Sequence, residues 1–235
     1  MSGWAAKRFW KEAQVEACDG GFTVRLDARP VKTPAKQPLV LPTVAMAEAI
    51  AQEWDAQQGL IKPATMPLTR AANSAIDKVV PMFDGVVGEL SNYGASDLLC
   101  YRATDPQALI ERQAKGWDPL LDWARDHLGA PLVVTQGVIP IPQPDESLAR
   151  LRSHVAAHSP FQMAALHDLV AISGSLILGL AVARKRLSGT EAFAISRIDE
   201  AWQIELWGED EEAAELEAAR HAAFLTAERF FALCG

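Results

Sequence analysis

Two histidines, His154 and His158, have the spacing in this chain that most directly suggests chemistry. Residues four apart on a helix share one face, so two imidazoles placed this way can bind one metal ion. A metalloprotease helix would also carry a glutamate directly after the first histidine, and no glutamate follows His154. Pro160 then ends the helix. We therefore expect these to be helix-end histidines, and we expect no metal or cofactor.

Two further candidates could belong to a catalytic site. His167 and Asp168 could act as a base with its orienting carboxylate, but adjacent side chains on a helix point about 100° apart, which predicts that they do not pair. Cys100, in SDLLCYRA, could act as a nucleophile, although no histidine is close in sequence to activate it. Such a partner could be supplied by the fold. An enzyme of unknown reaction, with a pocket between two domains, therefore stays open as an alternative.

Glycine-rich phosphate-binding signals are weak. Ser173-Gly174-Ser175 with Gly179 has neither the lysine of a phosphate loop nor the glycine spacing of a dinucleotide fingerprint. Small residues at these positions favour close packing between helices. The search for chemistry thus yields no catalytic residue.

The most unusual feature of the chain is an acidic segment near its C-terminus. Between Arg197 and Arg220 there are nine carboxylates and no lysine, arginine or histidine, with Trp202 and Trp207 among them. The whole chain has a formal net charge of −8, so this segment carries essentially all of the imbalance. Because solvated acidic tails do not usually contain two tryptophans and an aliphatic helical stripe, we expect a folded acidic surface that meets another protein.

The helical periodicity predicts one helix over residues 189–207 with two apolar faces. One face is the expected core stripe and holds Glu191, Ile195, Ile198, Trp202 and Leu206. The opposite face holds Phe193, Glu200, Ile204 and Trp207. Glu205 flanks the first face, near Ile198 and Ala201.

A carboxylate among large apolar side chains is costly unless a cation pairs with it, and this applies to Glu200 and Glu205. The cation is either internal, from Arg184, Arg186 or Arg197, or it belongs to a partner protein. Glu209–Glu212 lie at the start of the last predicted helix. Carboxylates are favoured near the positive N-terminal end of a helix, which explains some of these acids, Asp210 included.

Composition limits the class of protein. At 235 residues and 49% hydrophobic content the chain can bury a sizeable core. Its acidity argues against binding nucleic acid or an anionic membrane surface. Three widely spaced cysteines indicate free thiols in a reducing compartment. The N-terminus lacks an apolar signal core, and the apolar run 169–183 is too short to span a bilayer, so we expect a soluble cytoplasmic protein.

The organisation along the chain predicts an α+β protein. Alternating residues on both sides of Asp19-Gly20-Gly21 indicate a hairpin within a small antiparallel sheet of three to five short strands. Thr43 is a candidate cap for a helix that runs through Trp54 and stops at Gly59. We expect a small α+β N-terminal domain over 1–80 and a mainly α-helical orthogonal bundle over 81–235. The later helices are predicted over 107–128, 145–158, 161–183, 189–207 and 209–233, and a hairpin or extended crossover is expected within 131–144.

Several motifs, taken in order, resemble one known family. They are KRFW (7–10), GFTVRLDARPVKTP (21–34), PTVAMAEAIAQEW (42–54), MPLTRAANSAID (66–77), SDLLCYRA (96–103), WDPLLDWA (117–124) and DEAWQIELWGEDEEA (199–213). Together they span nearly the whole chain and resemble the assembly chaperones of the ATP synthase α subunit, the ATP-twelve type.

The resemblance implies a function that involves binding and no catalysis. Such a chaperone binds the free α subunit of the F-type ATP synthase catalytic head until a β subunit replaces it. It implies a partner-binding surface in the acidic segment, with Glu200 and Glu205 as the key acids. We add to that surface Phe193, Asp199, Ile204, Trp207 and Asp210. We expect a monomer in the bacterial cytoplasm, or in the mitochondrial matrix for eukaryotic relatives, and a generic holdase is a second alternative.

Overall fold

A computed structural model of the chain describes residues 7–137 and 139–235. The start of the N-terminal segment and Val138, which the sequence placed in the predicted hairpin or crossover, lie outside these ranges. The strands are β1 (Ala13–Cys18), β2 (Gly21–Leu26), β3 (Arg29–Pro30), β4 (Tyr101–Arg102) and β5 (Thr135–Gln136). The α-helices are α1 (Val44–Asp55), α2 (Pro67–Ser74), α3 (Phe83–Asn92), α4 (Gln107–Leu128), α5 (Asp145–Ala156), α6 (Pro160–Ser173), α7 (Leu176–Ala183), α8 (Gly189–Ser196), α9 (Ile198–Trp207) and α10 (Glu211–Ala232).

The N-terminal sheet has the antiparallel order β1-β2-β3. The two-residue loop Asp19-Gly20 closes the first hairpin, with Cys18 paired to Gly21, because Gly20 adopts the positive φ that this turn requires. A Cβ at Gly21 would lie 2.2 Å from the backbone oxygen of Leu41, so only glycine allows this close approach. A small antiparallel sheet followed by helices confirms the predicted α+β class.

The chain forms two compact units. The first contains residues through Phe83 together with Ser159–Ala165 and Arg229–Gly235, and the second contains Asp84–His158 and Leu166–Glu228. Segments of α6 and α10 therefore contribute to both units, which the sequence did not indicate. The predicted domain boundary between residues 80 and 81 stays a prediction.

The first unit is built around the sheet and α1. Thr43 caps α1, as predicted, because its hydroxyl accepts a hydrogen bond from the Met46 amide. The helix ends at Asp55, earlier than the expected stop at Gly59. Its buried face joins Leu39 and Leu41 in the core of this unit, which Phe230 of α10 completes.

Two long helices predicted in the second unit are each interrupted. The predicted helix 161–183 breaks at Gly174, whose φ of +72° ends α6, and Ser175 caps α7. The predicted helix 189–207 breaks at Arg197 between α8 and α9. Gly179 does serve close packing, since a Cβ there would lie 2.6 Å from Val170.

The described part of the Pro-rich segment forms no hairpin, and it contributes the short strand β5, which pairs with β4. Thr135 and Gln136 of β5 pair in parallel with Tyr101 and Arg102 of β4. A parallel pair needs a long connection between its strands, and α4 supplies it.

A buried carboxylate fixes the start of α7. Asp97 accepts hydrogen bonds from the Leu99 amide at 3.1 Å, the Ser175 hydroxyl at 2.7 Å and the Ile177 amide at 3.0 Å. Burial raises its pKa from 3.8 to about 6, against the opposing effect of these hydrogen bonds. The carboxylate thus links the segment before β4 to the break between α6 and α7.

This raised pKa predicts a pH-dependent stability. Because the folded state holds the proton more tightly, the contribution of Asp97 is fully present below pH 3.8 and is lost as the pH rises through about 6. Denaturant unfolding of the wild type and Asp97→Asn between pH 4 and pH 7 should show their difference in unfolding free energy falling by about 2 kcal/mol. A difference that does not change with pH would contradict the raised pKa.

Candidate partner-binding surface

The acidic segment folds as a hairpin of two helices, α9 and α10. Gly208 ends α9 with a φ of +85°, a conformation that side chains rarely adopt. Asp210 then caps α10, because its carboxylate accepts a hydrogen bond from the Ala213 amide at 2.9 Å. The capping role predicted for this part of the segment is confirmed for Asp210.

Helix α9 is anchored along one side of α4. A Cβ at Gly116 would lie 2.6 Å from the Ile198 side chain, so glycine lets the two helices approach closely. The buried amide of Gln113 donates a hydrogen bond to Asp199 at 2.7 Å. Asp199, predicted as a partner-binding residue, therefore fixes the start of α9 on α4.

Arg112 gives α9 a second anchor on α4. Its guanidinium donates two hydrogen bonds to the Glu205 carboxylate, at 2.6 and 2.8 Å, and lies 4.9 Å from the centre of the Trp202 ring. These hydrogen bonds hold the pKa of Glu205 below its ordinary value. The cation for Glu205 is thus internal in the free protein, and it comes from a residue that spacing along the segment could not identify.

Arg197 supplies the cation for Glu200. The Arg197 guanidinium lies 2.7 Å from Glu200 and 3.5 Å from Glu217 of α10, and it also donates to the carbonyl of Ile172. Arg197 was one of three internal candidates. The expectation that Glu200 lies enclosed among apolar groups is wrong, because its side chain is 48% exposed.

The predicted core stripe on this segment is only partly confirmed, because Ile198 and Trp202 do face α4 but are only partly buried. The break at Arg197 interrupts the continuous helix that the stripe assumed. No residue of α9 is buried, and Leu206, expected in the core, is 56% exposed. Trp207 is 78% exposed and Ile204 43%, which places two predicted contact residues on the surface.

Phe193 does not belong to that exposed surface. Its ring is buried and stacks on His221 with ring centres 4.7 Å apart, while Phe224 packs against it at 5.7 Å. Phe193 faces α10, yet it lines the same groove between α9 and α10 as Glu200, Ile204 and Trp207, so the four residues of the predicted second face do lie together. Phe193 is the buried residue of this set and forms the floor of the groove.

The candidate metal site at His154 and His158 has another explanation. His154 Nε2 lies 3.0 Å from the Leu128 carbonyl and must donate to it, so Nδ1 accepts from Arg184 at 2.7 Å. Burial lowers the pKa of His158, whose Nδ1 contacts the Val155 carbonyl. Across residues 7–137 and 139–235, no group of three or more His, Cys, Asp or Glu side chains is arranged to hold a metal ion.

The other catalytic candidates are not brought together into a site. His167 Nδ1 does reach Asp168 at 3.2 Å, so the prediction that they cannot pair is wrong, but both side chains are substantially exposed. The Cys100 thiol is fully buried, and burial raises its pKa to about 12. A thiol in this state is a poor nucleophile.

None of the helices in the described ranges combines the length and the apolar character needed to cross a membrane.

Comparisons with known proteins agree with one another. A family model described as the ATP12 chaperone protein matches residues 7–125. The crystal structure of Atp12 from Paracoccus denitrificans is 55% identical, with a TM-score of 0.95, and the match covers 98% of this chain and 99% of that one. The Atu1473 protein from Agrobacterium tumefaciens is 42% identical, with a TM-score of 0.90, over 96% of this chain and 84% of that one. The mitochondrial protein atp12 of Schizosaccharomyces pombe is 26% identical over 90% of this chain and 77% of its own length.

The buried thiols predict selective cysteine reactivity. The pKa of Cys234, like that of Cys100, is raised to about 12 by burial of the thiol, although Cys234, like Cys18 on β1, is only partly buried as a residue. With Ellman's reagent at pH 8, the folded protein should release about one equivalent of thiolate quickly, and the unfolded chain should release three. The Cys18→Ser variant should lose the fast phase, and a fast phase that persists in the Cys18→Ser/Cys234→Ser double variant would revive Cys100 as a nucleophile.

Proposed function

The chain belongs to the ATP12 chaperone family, whose members assist assembly of the ATP synthase, and from this premise we propose that it binds the free α subunit of the catalytic head. It would shield the subunit's interface until a β subunit takes its place. An unassembled ring subunit exposes large apolar interface patches, which aggregate unless they are covered. Such a function requires a binding surface and no catalytic group.

The observation that carries this proposal is the exposure of apolar side chains within an acidic field. Ile204, Leu206 and Trp207 lie exposed along the last two turns of α9, and Leu216 lies exposed on α10. Because Ile204, Leu206 and Trp207 stay exposed, their side chains contribute little to the stability of the free protein. Exposed apolar residues surrounded by charged groups are typical of a protein-binding surface.

The acids of this surface serve specificity more than stability. Ion pairs at exposed positions contribute little to folding, and in the Arg112–Glu205 pair both side chains are more than a third exposed. A negative field around an apolar contact accelerates association with a basic surface and disfavours acidic partners. Binding that depends on such a field can stay weak enough for the β subunit to displace the chaperone.

Several coarser features follow from the same proposal. The protein acts without catalysis, as a monomer, in the bacterial cytoplasm, which corresponds to the mitochondrial matrix in eukaryotic relatives. Partners other than α, such as nucleic acid or an anionic membrane, are disfavoured by the net charge of −8.

Trp207→Ala should weaken capture of the free α subunit. Truncation of a central tryptophan in an interface typically costs about 2 kcal/mol or more, which corresponds to about a 30-fold rise in Kd. Ile139→Ala is the matched control, because Ile139 is 75% exposed and lies outside α9 and α10. Kd values from titration of isolated α subunit should rise for the first variant only. Equal affinity of folded Trp207→Ala and wild type would remove Trp207 from the interface.

The role of Glu205 can be separated from its internal pair with Arg112. If Glu205 also contacts a basic residue of α, Glu205→Gln should raise the Kd about tenfold, whereas Arg112→Gln should leave it unchanged or lower it. Arg112→Gln removes the internal competitor and keeps the carboxylate. If both variants weaken binding equally, the acid acts only by anchoring α9 on α4.

A generic holdase would behave differently in an aggregation assay. The proposed chaperone should suppress the aggregation of α subunit at a near-equimolar ratio, and it should have little effect on an unrelated heat-denatured protein. Equal protection of both clients would favour the holdase.

A further inference from the structure

The hairpin of α9 and α10 encloses a groove, and Trp207, the proposed contact residue, stands on its α9 side. The groove has a volume of about 540 Å³, within the range of about 300–1,000 Å³ typical of ligand pockets. This is enough room for a few large side chains and too little for the face of a domain. Gly208, where the chain reverses, lies at one end of it.

The groove has an apolar floor and walls. Phe193 forms the floor, Ile204 and Trp207 stand on the α9 side, and small residues on the α10 side leave the space open. These small residues are Ala213, Ala214 and Ala218. An apolar hollow beside exposed large side chains is the arrangement in which an interface anchor residue is desolvated.

The charged residues that line the groove indicate which kind of ligand it favours. Four carboxylates line the groove against two guanidinium groups. Arg197 is already bound to Glu200 and Glu217, and Arg220 lies 4.0 Å from Glu217. Within the described parts of the chain, no cation lies within ion-pair distance of Glu209 or Asp210, which stand at the turn of the hairpin, next to Gly208. The groove therefore repels anionic ligands and favours a positively charged segment.

Arg197 keeps the groove formed before any partner arrives. It is only 15% exposed, it joins α9 to α10 through Glu200 and Glu217, and it lies 5.4 Å above the Phe193 ring. A groove held open in the free protein binds at a lower conformational cost than one that must form on contact.

We propose that this groove receives a large apolar side chain of the α subunit, presented by a segment that carries an arginine or lysine within one helical turn of it. The apolar side chain fills the space above Phe193, and the basic side chain reaches the carboxylates at Glu209 and Asp210. This inference rests on the proposed function, and it adds the chemistry of the segment that is recognised.

Filling the groove tests the inference without any change in charge. Ala218→Leu places a larger side chain in the lining, whereas Ala219→Leu, its neighbour on the exposed surface of α10, is the matched control. The Kd for isolated α subunit should rise at least about tenfold for Ala218→Leu and stay within about twofold for Ala219→Leu. Thermal unfolding of both variants should match the wild type, because both positions are exposed.

Photo-crosslinking identifies the chemistry of the segment. A Trp207→para-benzoylphenylalanine variant keeps an aromatic group beside the groove and should crosslink to one segment of α that contains a large apolar residue and a nearby arginine or lysine. A crosslinked segment without a basic residue would overturn the inference, as would tight binding of α by Ala218→Leu. Failure of the wild type to bind α would overturn the proposed function itself, so the two failures are distinguishable.

Discussion

The acidic hairpin depends on one buried arginine. Arg197 stands where α8 ends and α9 begins, and its guanidinium binds Glu200 on α9, Glu217 on α10 and the carbonyl of Ile172 on α6. A largely buried guanidinium needs opposite charge nearby, and its Nε, which makes no hydrogen bond, lies 3.5 Å from Glu217, so these partners are constrained together. Without that constraint a charged helix of ten residues would have little reason to remain beside another acidic helix, because isolated helices this short are marginal in water.

Helix α9 consequently supports exposed residues and is not part of a core. Its inner side is fixed on α4 by the Gln113–Asp199 hydrogen bond, the Ile198 contact at Gly116 and the Arg112–Glu205 pair. Because these contacts are mostly polar, the helix holds its position while burying no residue of its own. This leaves Ile204, Leu206 and Trp207 available to a partner, whereas a conventional amphipathic helix would have buried its apolar residues in its own core.

The sequence was sufficient to predict the structure wherever interactions between residues close in the chain decide it. The tight turn at Asp19-Gly20, the Thr43 cap and the full extent of α4 follow from residues adjacent in the chain, and the structure confirms each of them. The breaks at Gly174 and Arg197 did not follow, because an apolar pattern continues through both. At Gly174 the reach of Asp97 to Ser175 and Ile177 compensates for the break, and that carboxylate lies almost eighty residues away in the chain.

In the candidate site, too, some features follow from the sequence and others only from the tertiary structure. By itself the sequence determined that the acidity is concentrated in a tryptophan-bearing segment near the C-terminus, because composition and motif order are properties of the chain alone, and it predicted that this segment meets another protein. Only the tertiary structure decided which carboxylates are already paired, that Phe193 is buried and that a groove separates α9 from α10. The reason is distance along the chain: Arg112 lies 93 residues before Glu205, and no local pattern links two residues that only the folding of α9 onto α4 brings together.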